Sequence, residues 1–316
     1  MARVGVTGAT GFIGGALVPA LANLKHDLVL VDNRTGPIRV EWPSWPALAA
    51  DFQSAEGLRA LSDCDVILHL AAVSGVMACA QNPMETSRTN VEGTRRLLEQ
   101  CRDHRIPVAF ASSLAVVGSP ERLPVSEDTP PRPTHEYARQ KAEGERLTRA
   151  LAQEAGVTSA VLRMSNVYGS YTAGPKSIAK GNVLTLFLSQ ARSGRLTVNA
   201  PGTQRRDFVH IEDVLAHWTA VVRWLCAPGA PCTGPTFNVA SGESYSVLEI
   251  AALVRDLEAR LRPSQGPVAV AVVPNPREGI ELVDPEFTVT RAGTERVLGV
   301  RCSHRVTEFL ESSLRA

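Results

Sequence analysis

A glycine-rich segment near the start constrains the fold of this chain more than any other feature. Residues 7–14 read TGATGFIG, directly after an apolar run at residues 3–7 and at the start of an amphipathic run at residues 14–24. Strand, glycine turn and helix in this order form the first unit of a dinucleotide-binding α/β sheet. The segment therefore predicts a dinucleotide site at the edge of a parallel sheet.

Each glycine of this segment has its own physical role. Gly8 permits the tight turn, Gly11 lets a pyrophosphate approach the backbone, and Gly14 lets the helix lie close to the sheet. Phe12 and Ile13 begin the helix, whose amino end faces the phosphates with unpaired N–H groups. We expect these five residues to contact the cofactor.

Short apolar runs alternate with amphipathic runs across the first half of the chain. Strands are predicted at residues 3–7, 28–32, 66–70, 108–112 and 160–163. Helices are predicted at residues 14–24, 85–103 and 136–155. Strand, crossover helix and strand indicate a parallel sheet covered by helices on both faces. The fold class we predict is α/β, a Rossmann-type doubly wound parallel sheet.

An acidic residue at the end of the second predicted strand identifies the dinucleotide. A carboxylate at Asp32 accepts hydrogen bonds from a ribose diol and repels a 2′-phosphate, which selects NAD over NADP. Asn33 and Arg34 follow directly and are assigned to the same site. Arg34 is a complication, because an arginine can pair with a 2′-phosphate. The carboxylate decides the prediction in favour of NAD.

The pattern changes after residue 166, where glycine and proline become frequent. We predict a smaller C-terminal substrate-binding lobe that closes over the carboxyl edge of the sheet, where ligands of open α/β sheets bind. The predicted NAD-binding domain is residues 1–165, with part of residues 203–240. The predicted lobe is residues 166–202 and 241–316.

Composition excludes several other classes of protein. The formal net charge is +1 and the basic residues are scattered, which argues against binding to nucleic acid or to an anionic membrane. No run approaches the roughly 20 apolar residues that span a bilayer. The first strand leaves no room for a signal peptide, so we expect a cytoplasmic protein. The six cysteines form no CxxC pair and the seven histidines no HxH or HExxH, so no metal site is predicted.

A tyrosine and a lysine four residues apart lie in the predicted helix at residues 136–155. Tyr137 and Lys141 would share one face, a turn apart. The ammonium and a positively charged nicotinamide would both lower the pKa of the phenol from its usual value near 10. Ser113, at the end of the fourth predicted strand, could hydrogen-bond the same substrate oxygen. Together they predict an acid–base group.

These motifs in this order resemble the extended short-chain dehydrogenase/reductase family, in its NAD-dependent epimerase/dehydratase branch. The matching segments are TGATGFIG at 7–14, HLAA at 69–72, NVEGT at 90–94, ASSLAVVG at 111–118, YARQK at 137–141, LRMSNVYG at 162–169, RDFVHIEDV at 206–214 and FNVASGE at 237–243. The resemblance covers nearly the whole chain. It implies an enzyme that oxidises and re-reduces a sugar carried on a nucleotide diphosphate.

The resemblance also implies roles for individual residues. Tyr137 would be base and acid at the sugar 4-hydroxyl, Lys141 would tune it and contact a ribose, and Ser113 would position the oxygen. The residues expected to line the cofactor are Asp51 and Phe52 beside the adenine, and Leu70, Ala71 and Ala72 through their backbone. The residues expected to contact the nucleotide diphosphate are Asn166, Asn182, Arg206 and Arg277. Two arginines suit a doubly charged pyrophosphate.

The chain departs from the family pattern where the sugar should lie. Val117 replaces the tyrosine of the family's VYG, and Cys79 stands where serine is usual. Leu114 and Ala115 replace the Asp–Glu pair of the standard 4,6-dehydratases, and neither can move a proton. The predicted function is therefore a UDP-sugar 4-epimerase that acts through a 4-keto intermediate. The alternative is an atypical 4,6- or 5,6-dehydratase, with Cys79 as a tentative catalytic group.

Two further expectations concern partners. The helical runs at residues 85–103 and 136–155 resemble the family's paired-helix interface, which predicts a homodimer. A non-catalytic NAD-sensing protein of the same fold is disfavoured, because such proteins tend to lose the Tyr–Lys pair. The expected small-molecule partner is a nucleotide-diphosphate sugar.

Overall fold

The computed structural model describes residues 1–276 and 286–315. The strands are β1 (Arg3–Thr7), β2 (Asp27–Asp32), β3 (Leu48–Ala49), β4 (Val66–His69), β5 (Val108–Ser113), β6 (Ser159–Met164), β7 (Asn166–Tyr168), β8 (Ser170–Ala173), β9 (Lys176–Ala179), β10 (Arg195–Asn199), β11 (Arg205–His210), β12 (Thr236–Val239), β13 (Ser244–Ser246) and β14 (Ala269–Val273). The helices are α1 (Phe12–Asn23), α2 (Ala55–Leu61), α3 (Val76–Gln81), α4 (Pro83–Ser87), α5 (Thr94–His104), α6 (Glu136–Ala155), α7 (Val183–Ala191), α8 (Ile211–Leu225), α9 (Val247–Leu261), α10 (Ala292–Leu298) and α11 (Val306–Arg315).

A parallel sheet forms the centre of the described structure. Its seven strands run in the order β12-β6-β5-β4-β1-β2-β3. Thr7 at the end of β1 pairs with Val31 of β2 on one side and with His69 of β4 on the other. The chain order reverses between β1 and β4, and ligands of open α/β sheets bind at such a switch point. The predicted Rossmann-type sheet is confirmed.

The predicted helix at residues 85–103 is interrupted. Helix α4 is followed by a π-helical turn at Arg88–Gly93 before α5 begins. Inside that turn the Asn90 amide bonds to the backbone of Val73 and to the Gln140 side chain. These long-range bonds hold the turn against two other segments, so tertiary contacts overrode a pattern that was helical throughout.

A second hydrophobic cluster lies outside the central sheet. It is built by α7, α9 and α11 together with β10 and β14, and includes Phe187, Leu196, Ile250 and Leu310. Between this cluster and the sheet, β11 pairs in parallel with β7, which sets Phe208 opposite Asn166. This pairing brings the segment that contains Arg206 to the carboxyl edge of the sheet.

Buried charges anchor α6 to the sheet. Both oxygens of Glu145 accept hydrogen bonds from the Arg163 guanidinium on β6, at 2.9 and 2.8 Å. Ser112 of β5 donates to the same carboxylate at 2.6 Å. Burial alone would raise the pKa of Glu145, but Arg163, with Ser112 and Arg149, holds it below its usual value. The helix that carries Tyr137 and Lys141 is therefore fixed in position by charge as well as by packing.

Two properties of the described residues bear on function class. None of their helices has the length and apolar character needed to cross a membrane. Within residues 1–276 and 286–315, His, Cys, Asp and Glu side chains form no group that could hold a metal ion.

We predict that Glu145→Gln lowers the free energy of unfolding by about 3–5 kcal/mol, because it leaves the Arg163 charge buried without a counter-charge. The folded-state pKa of Glu145 is depressed. Its contribution is therefore present above the unfolded pKa near 4.3 and is lost as pH falls below that value. Urea unfolding between about pH 2 and pH 7, which includes the range below the unfolded pKa, measures both effects.

Glu143→Gln on the same helix is the matched control. Glu143 pairs with Arg146, whose side chain is 61% exposed, so its loss should cost no more than about 1 kcal/mol. Equal losses from the two substitutions would show that the buried pair does not anchor the helix.

Candidate active site

The glycine-rich segment at residues 7–14, called the phosphate turn below, has the backbone geometry that its sequence predicts. Gly8 has φ = 71°, and a Cβ there would lie 2.7 Å from the Ala71 nitrogen. At Gly14 a Cβ would lie 2.2 Å from the Gly8 carbonyl oxygen. At Gly11 the nearest atom to a Cβ is that same oxygen at 3.4 Å, so the turn leaves open space above this residue. The space lies at the amino end of α1, where a phosphate is stabilised by the helix dipole and free N–H groups.

Asp32 and Arg34 occupy the end of β2 beside this turn. The Asp32 carboxylate accepts hydrogen bonds from the backbone N–H of Thr10 at 3.0 Å and of Arg34 at 2.6 Å. The Arg34 guanidinium donates to the Ala47 carbonyl at 2.8 Å and pairs with Glu41 at 3.3 Å. The Arg34 guanidinium is therefore engaged by the loop after β2. That Asp32 selects NAD over NADP stays a prediction.

The other predicted cofactor residues lie at the ends of β3 and β4. Leu70 donates its N–H to the Thr7 carbonyl, and Ala71 donates to the Thr7 hydroxyl at 3.2 Å, so this backbone runs beside the phosphate turn. Phe52 is buried, with its ring centroid 4.9 Å from that of His69. Its side chain belongs to the core, so only its backbone is available to an adenine.

Tyr137, Lys141 and Ser113 come together at the start of α6. Lys141 is buried, and its ammonium donates to the Ala111 carbonyl on β5 at 2.7 Å. It also lies 4.9 Å from the centroid of the Phe110 ring. Burial lowers the pKa of Lys141 to about 8, although Cys79 and Glu145 act in the opposite direction. A lysine in this state gives up its proton more readily than a solvated one.

The pKa of Tyr137 differs from the expectation for the complete site. Burial raises it to about 12, with the nearby Cys79 adding to the effect and the Ser113 hydroxyl opposing it. The sequence argument expected a lowered value, with Lys141 and a charged nicotinamide as the causes. In the protein alone desolvation outweighs the hydrogen bond from Ser113. The lowered value that the sequence argument expected included the charge of a bound nicotinamide.

A cavity of about 360 Å³ opens at this end of α6. Ser113 at the end of β5 and Tyr137 at the start of α6 line one side. Asn166 of β7, Asn182 at the start of α7 and Arg206 of β11 also line it. The cavity is therefore shared between the acid–base group and the residues predicted to hold the nucleotide diphosphate. Arg277, predicted to share that role, lies outside the described residues.

The two asparagines of the cavity also have structural roles. Asn166 donates its side-chain amide to the Asp207 carbonyl at 3.0 Å. Asn182 caps α7, where its oxygen accepts from the N–H groups of Leu184 and Thr185. Its amide nitrogen donates to the Val167 carbonyl at 3.1 Å. A ligand contact by Asn182 would therefore use the remaining amide hydrogen.

The structure does not bring Cys79 to the cavity wall. Its side chain is fully buried, with Sγ 3.7 Å from the Val73 carbonyl oxygen. Burial raises the pKa of the thiol, against a hydrogen bond from Thr86. Val117 is also fully buried and packs with Val125 and Phe287. These two departures from the family pattern therefore change the core around the site.

His135 and Gln204 are two of the cavity residues that the sequence analysis missed. His135 caps α6, accepting from the Ala138 N–H at 3.2 Å, and its ring is parallel to that of Tyr137 with centroids 6.2 Å apart. Gln204 lies two residues before Arg206, and its side-chain oxygen is buried without a hydrogen-bond partner among the described residues. The sequence signal that could have identified both residues is their position directly before the segments YARQK (137–141) and RDFVHIEDV (206–214).

The residues around the phosphate turn fit NAD. Open space above Gly11, the helix amino end, the Asp32 carboxylate and the backbone at residues 70–72 meet at the switch point of the sheet. A Rossmann-type sheet with a tyrosine and a buried lysine beside that point defines an NAD-dependent enzyme of the extended short-chain dehydrogenase/reductase class.

Comparison with known proteins agrees with this class. The model of the NAD dependent epimerase/dehydratase family matches residues 4–240, and the chain belongs to that family. A UDP-glucose epimerase of Bacillus subtilis, itself uncharacterised, is 32% identical over 278 residues, which are 82% of this chain and 83% of the relative.

Two solved structures resemble the chain over its whole length. MoeE5 in complex with UDP-glucose and NAD is 28% identical, with a TM-score of 0.78 over 99% of this chain and 97% of that one. The NAD-dependent NDP-hexosamine 5,6-dehydratase TunA, involved in tunicamycin biosynthesis, is also 28% identical. Its TM-score is 0.79 over 100% of this chain and 97% of that one.

We predict that alanine at Gly11 weakens NAD binding and leaves stability nearly unchanged, whereas alanine at Gly14 lowers stability. Gly11→Ala should leave the free energy of unfolding within about 1 kcal/mol of the wild-type value, because its Cβ meets no close atom. The same Cβ enters the space open to the pyrophosphate, so NAD affinity should fall about tenfold or more. Calorimetric titration with NAD and thermal unfolding measure the two quantities.

Gly14→Ala is the comparison. Its Cβ collides with the Gly8 carbonyl, so stability should fall by about 1–3 kcal/mol. Unchanged NAD affinity in a folded Gly11→Ala variant would contradict the position given to the pyrophosphate.

Proposed function

We propose that the protein is a nucleotide-sugar 4-epimerase that acts on a UDP-hexose. The observation that carries the proposal is the position of Tyr137 and Ser113 on the wall of a cavity that is shared with Arg206. The adjacent Leu114 and Ala115 also line the cavity and cannot transfer protons. An epimerase needs one acid–base group at the 4-hydroxyl, and the Bacillus subtilis relative is named as a UDP-glucose epimerase.

The roles of the chain's residues follow from their chemistry. Tyr137 takes the proton of the sugar 4-hydroxyl and later returns it to the oxygen at carbon 4. Lys141 holds positive charge near the phenol and favours its ionised form. Ser113 donates a hydrogen bond to the same substrate oxygen. NAD, which the phosphate turn and Asp32 would hold, would supply reversible hydride transfer at carbon 4 of the sugar.

The nucleotide end of the substrate requires positive charge and hydrogen-bond donors. Arg206 supplies a planar guanidinium that suits the pyrophosphate. Asn166, Asn182 and Gln204 line the same part of the cavity and offer side-chain amides. MoeE5 binds UDP-glucose, which supports a uridine nucleotide as the carrier. Arg277 keeps the same predicted role.

One observation favours a dehydratase as the second candidate. His135 lies on the cavity wall beside Tyr137 and carries an imidazole, which can move a proton at neutral pH. A 5,6-dehydratase needs such a second group for the proton at carbon 5 or the departing 6-hydroxyl. The likeness to TunA supports this alternative, with His135 in the role that the sequence analysis gave to Cys79.

The remaining parts of the proposal concern oligomeric state, location and domain organisation. We keep the prediction of a homodimer through the paired helices, of which α6 and α5 pack side by side. We also keep the prediction of a cytoplasmic location. The division into an NAD-binding domain and a substrate lobe is supported by the separate hydrophobic cluster of the second half.

The product of UDP-glucose or UDP-N-acetylglucosamine separates the two candidates. Epimerisation should give an isomer of unchanged mass, seen by proton NMR, with no accumulation of NADH absorbance. Loss of about 18 Da, the mass of one water, would replace the first candidate by the second. Stoichiometric NADH would contradict both, because each returns the electrons to the sugar.

Replacement of Tyr137 by Phe should lower turnover by about 10²–10⁴-fold, since it removes the proton-transfer oxygen and leaves the ring. NAD content and thermal stability should stay at wild-type values. Steady-state kinetics with UDP-glucose, or with whichever sugar nucleotide is turned over, give the measurement.

Two control variants accompany this measurement. Tyr168→Phe removes a buried hydroxyl that has no hydrogen-bond partner among the described residues. Cys79→Ser tests the tentative catalytic thiol. Both should lose less than about tenfold in turnover. A loss of turnover in Cys79→Ser as large as in Tyr137→Phe would support a catalytic role for the thiol.

A further inference from the structure

A hairpin from the second half of the chain covers the phosphate turn. Strands β8 and β9 pair antiparallel, and Tyr171 of β8 donates its hydroxyl to the Phe12 carbonyl at 2.9 Å. The Tyr171 and Phe12 rings are also in contact, with centroids 5.5 Å apart. A Cβ at Gly15 would lie 2.8 Å from the same hydroxyl oxygen, so the hairpin lies directly against the first turn of α1.

Lys180 follows this hairpin and points back towards the same turn. Its ammonium lies 5.8 Å from the centroid of the Phe12 ring. Its backbone is held at both ends: the N–H donates to the Gly169 carbonyl at 3.2 Å, and the carbonyl accepts from the Thr185 hydroxyl at 3.0 Å. The backbone from which the side chain extends is therefore fixed by Gly169, which follows β7, and by Thr185 of α7.

The charge of Lys180 is not compensated within the described part of the chain. No carboxylate of residues 1–276 or 286–315 contributes to its pKa or forms an ion pair with it, although the side chain is half-buried. Helix α1 has no acidic residue in its first turn, and the Asp32 carboxylate bonds to the Thr10 N–H just before that turn. Burial lowers the pKa of Lys180, which is the expected result for an ammonium without a counter-charge.

A half-buried ammonium without a counter-charge is stabilised when an anion binds beside it. Two other cations near this edge have partners of their own. Arg34 pairs with Glu41, and Lys141 bonds to the Ala111 carbonyl below the acid–base group. Lys180 lies beside Phe12, the first residue of α1, where a dinucleotide would carry its two negative charges.

We propose that Lys180 contacts the pyrophosphate of bound NAD, and that hairpin β8–β9 with Lys180 closes the phosphate turn from the side of the second cluster. The cofactor is then held by both parts of the chain. Its release requires the hairpin and Lys180 to move away from α1, which suits an enzyme that regenerates its cofactor within each turnover.

The test compares Lys180→Met with Lys176→Met. Methionine keeps an unbranched stem against Phe12 and removes the charge. Lys176 is the first residue of β9 on the same hairpin, and its side chain is exposed. For each holoenzyme we would measure the NAD retained after gel filtration and the rate at which bound NAD exchanges for an etheno-NAD analogue. Calorimetric titration of the NAD-free protein with ADP and with adenosine separates the diphosphate from the base and ribose.

Lys180→Met should weaken ADP binding about tenfold to a hundredfold, the loss of one charge-assisted hydrogen bond, and leave adenosine binding unchanged. It should also speed NAD exchange and reduce the retained fraction, while Lys176→Met behaves as wild type. Wild-type ADP affinity in Lys180→Met would overturn the proposal. So would equal losses for ADP and adenosine, because these would indicate a general change in the shape of the site.

Discussion

The ion pair between Glu145 and Arg163 holds α6, the helix that carries Tyr137 and Lys141, to the sheet, and the arrangement of the candidate site depends on it. Removing two charges from water costs free energy, which close geometry and further hydrogen bonds have to offset. Ser112 of β5 and Arg149 of α6 also donate hydrogen bonds to this carboxylate. Together with Arg163 of β6, groups from three elements meet at one buried side chain. Glu145 lies one turn beyond Lys141 on α6. Fixing this glutamate therefore fixes the height and rotation of the helix that presents Tyr137 to the cavity.

Charged groups lie on both sides of the phosphate turn. Lys180 lies 5.8 Å from the Phe12 ring centroid without an ion pair among the described residues, and the Asp32 carboxylate accepts from the Thr10 N–H. The proposed position of NAD would set its pyrophosphate near Lys180 and its ribose diol near Asp32. Burial raises the pKa of Tyr137 to about 12, so the proposed role of the phenol as a base requires a nearby positive charge, which an oxidised nicotinamide would supply.

Much of the fold could be predicted from local pattern. The five strands predicted in the first half agree with the observed strands to within one residue at each end. The helix at residues 85–103 could not be predicted correctly, because Asn90 satisfies its amide on Val73 and Gln140, which no local pattern encodes. In the site, the exposure of individual side chains was the weak point. Phe52 and Cys79 lie in functional segments, yet their side chains point into the core.

The sequence by itself determined the phosphate turn, the acid at the end of β2 and the four-residue spacing of Tyr137 and Lys141. Each of these rests on neighbouring residues and on fixed backbone geometry. Only the tertiary structure decided which distant segments meet. Tyr171 bonds to a carbonyl 159 residues away, and the pairing of β11 with β7 brings Arg206 to the cavity. Such contacts depend on how the second cluster packs against the sheet, and burial of apolar surface sets that packing without a readable local code.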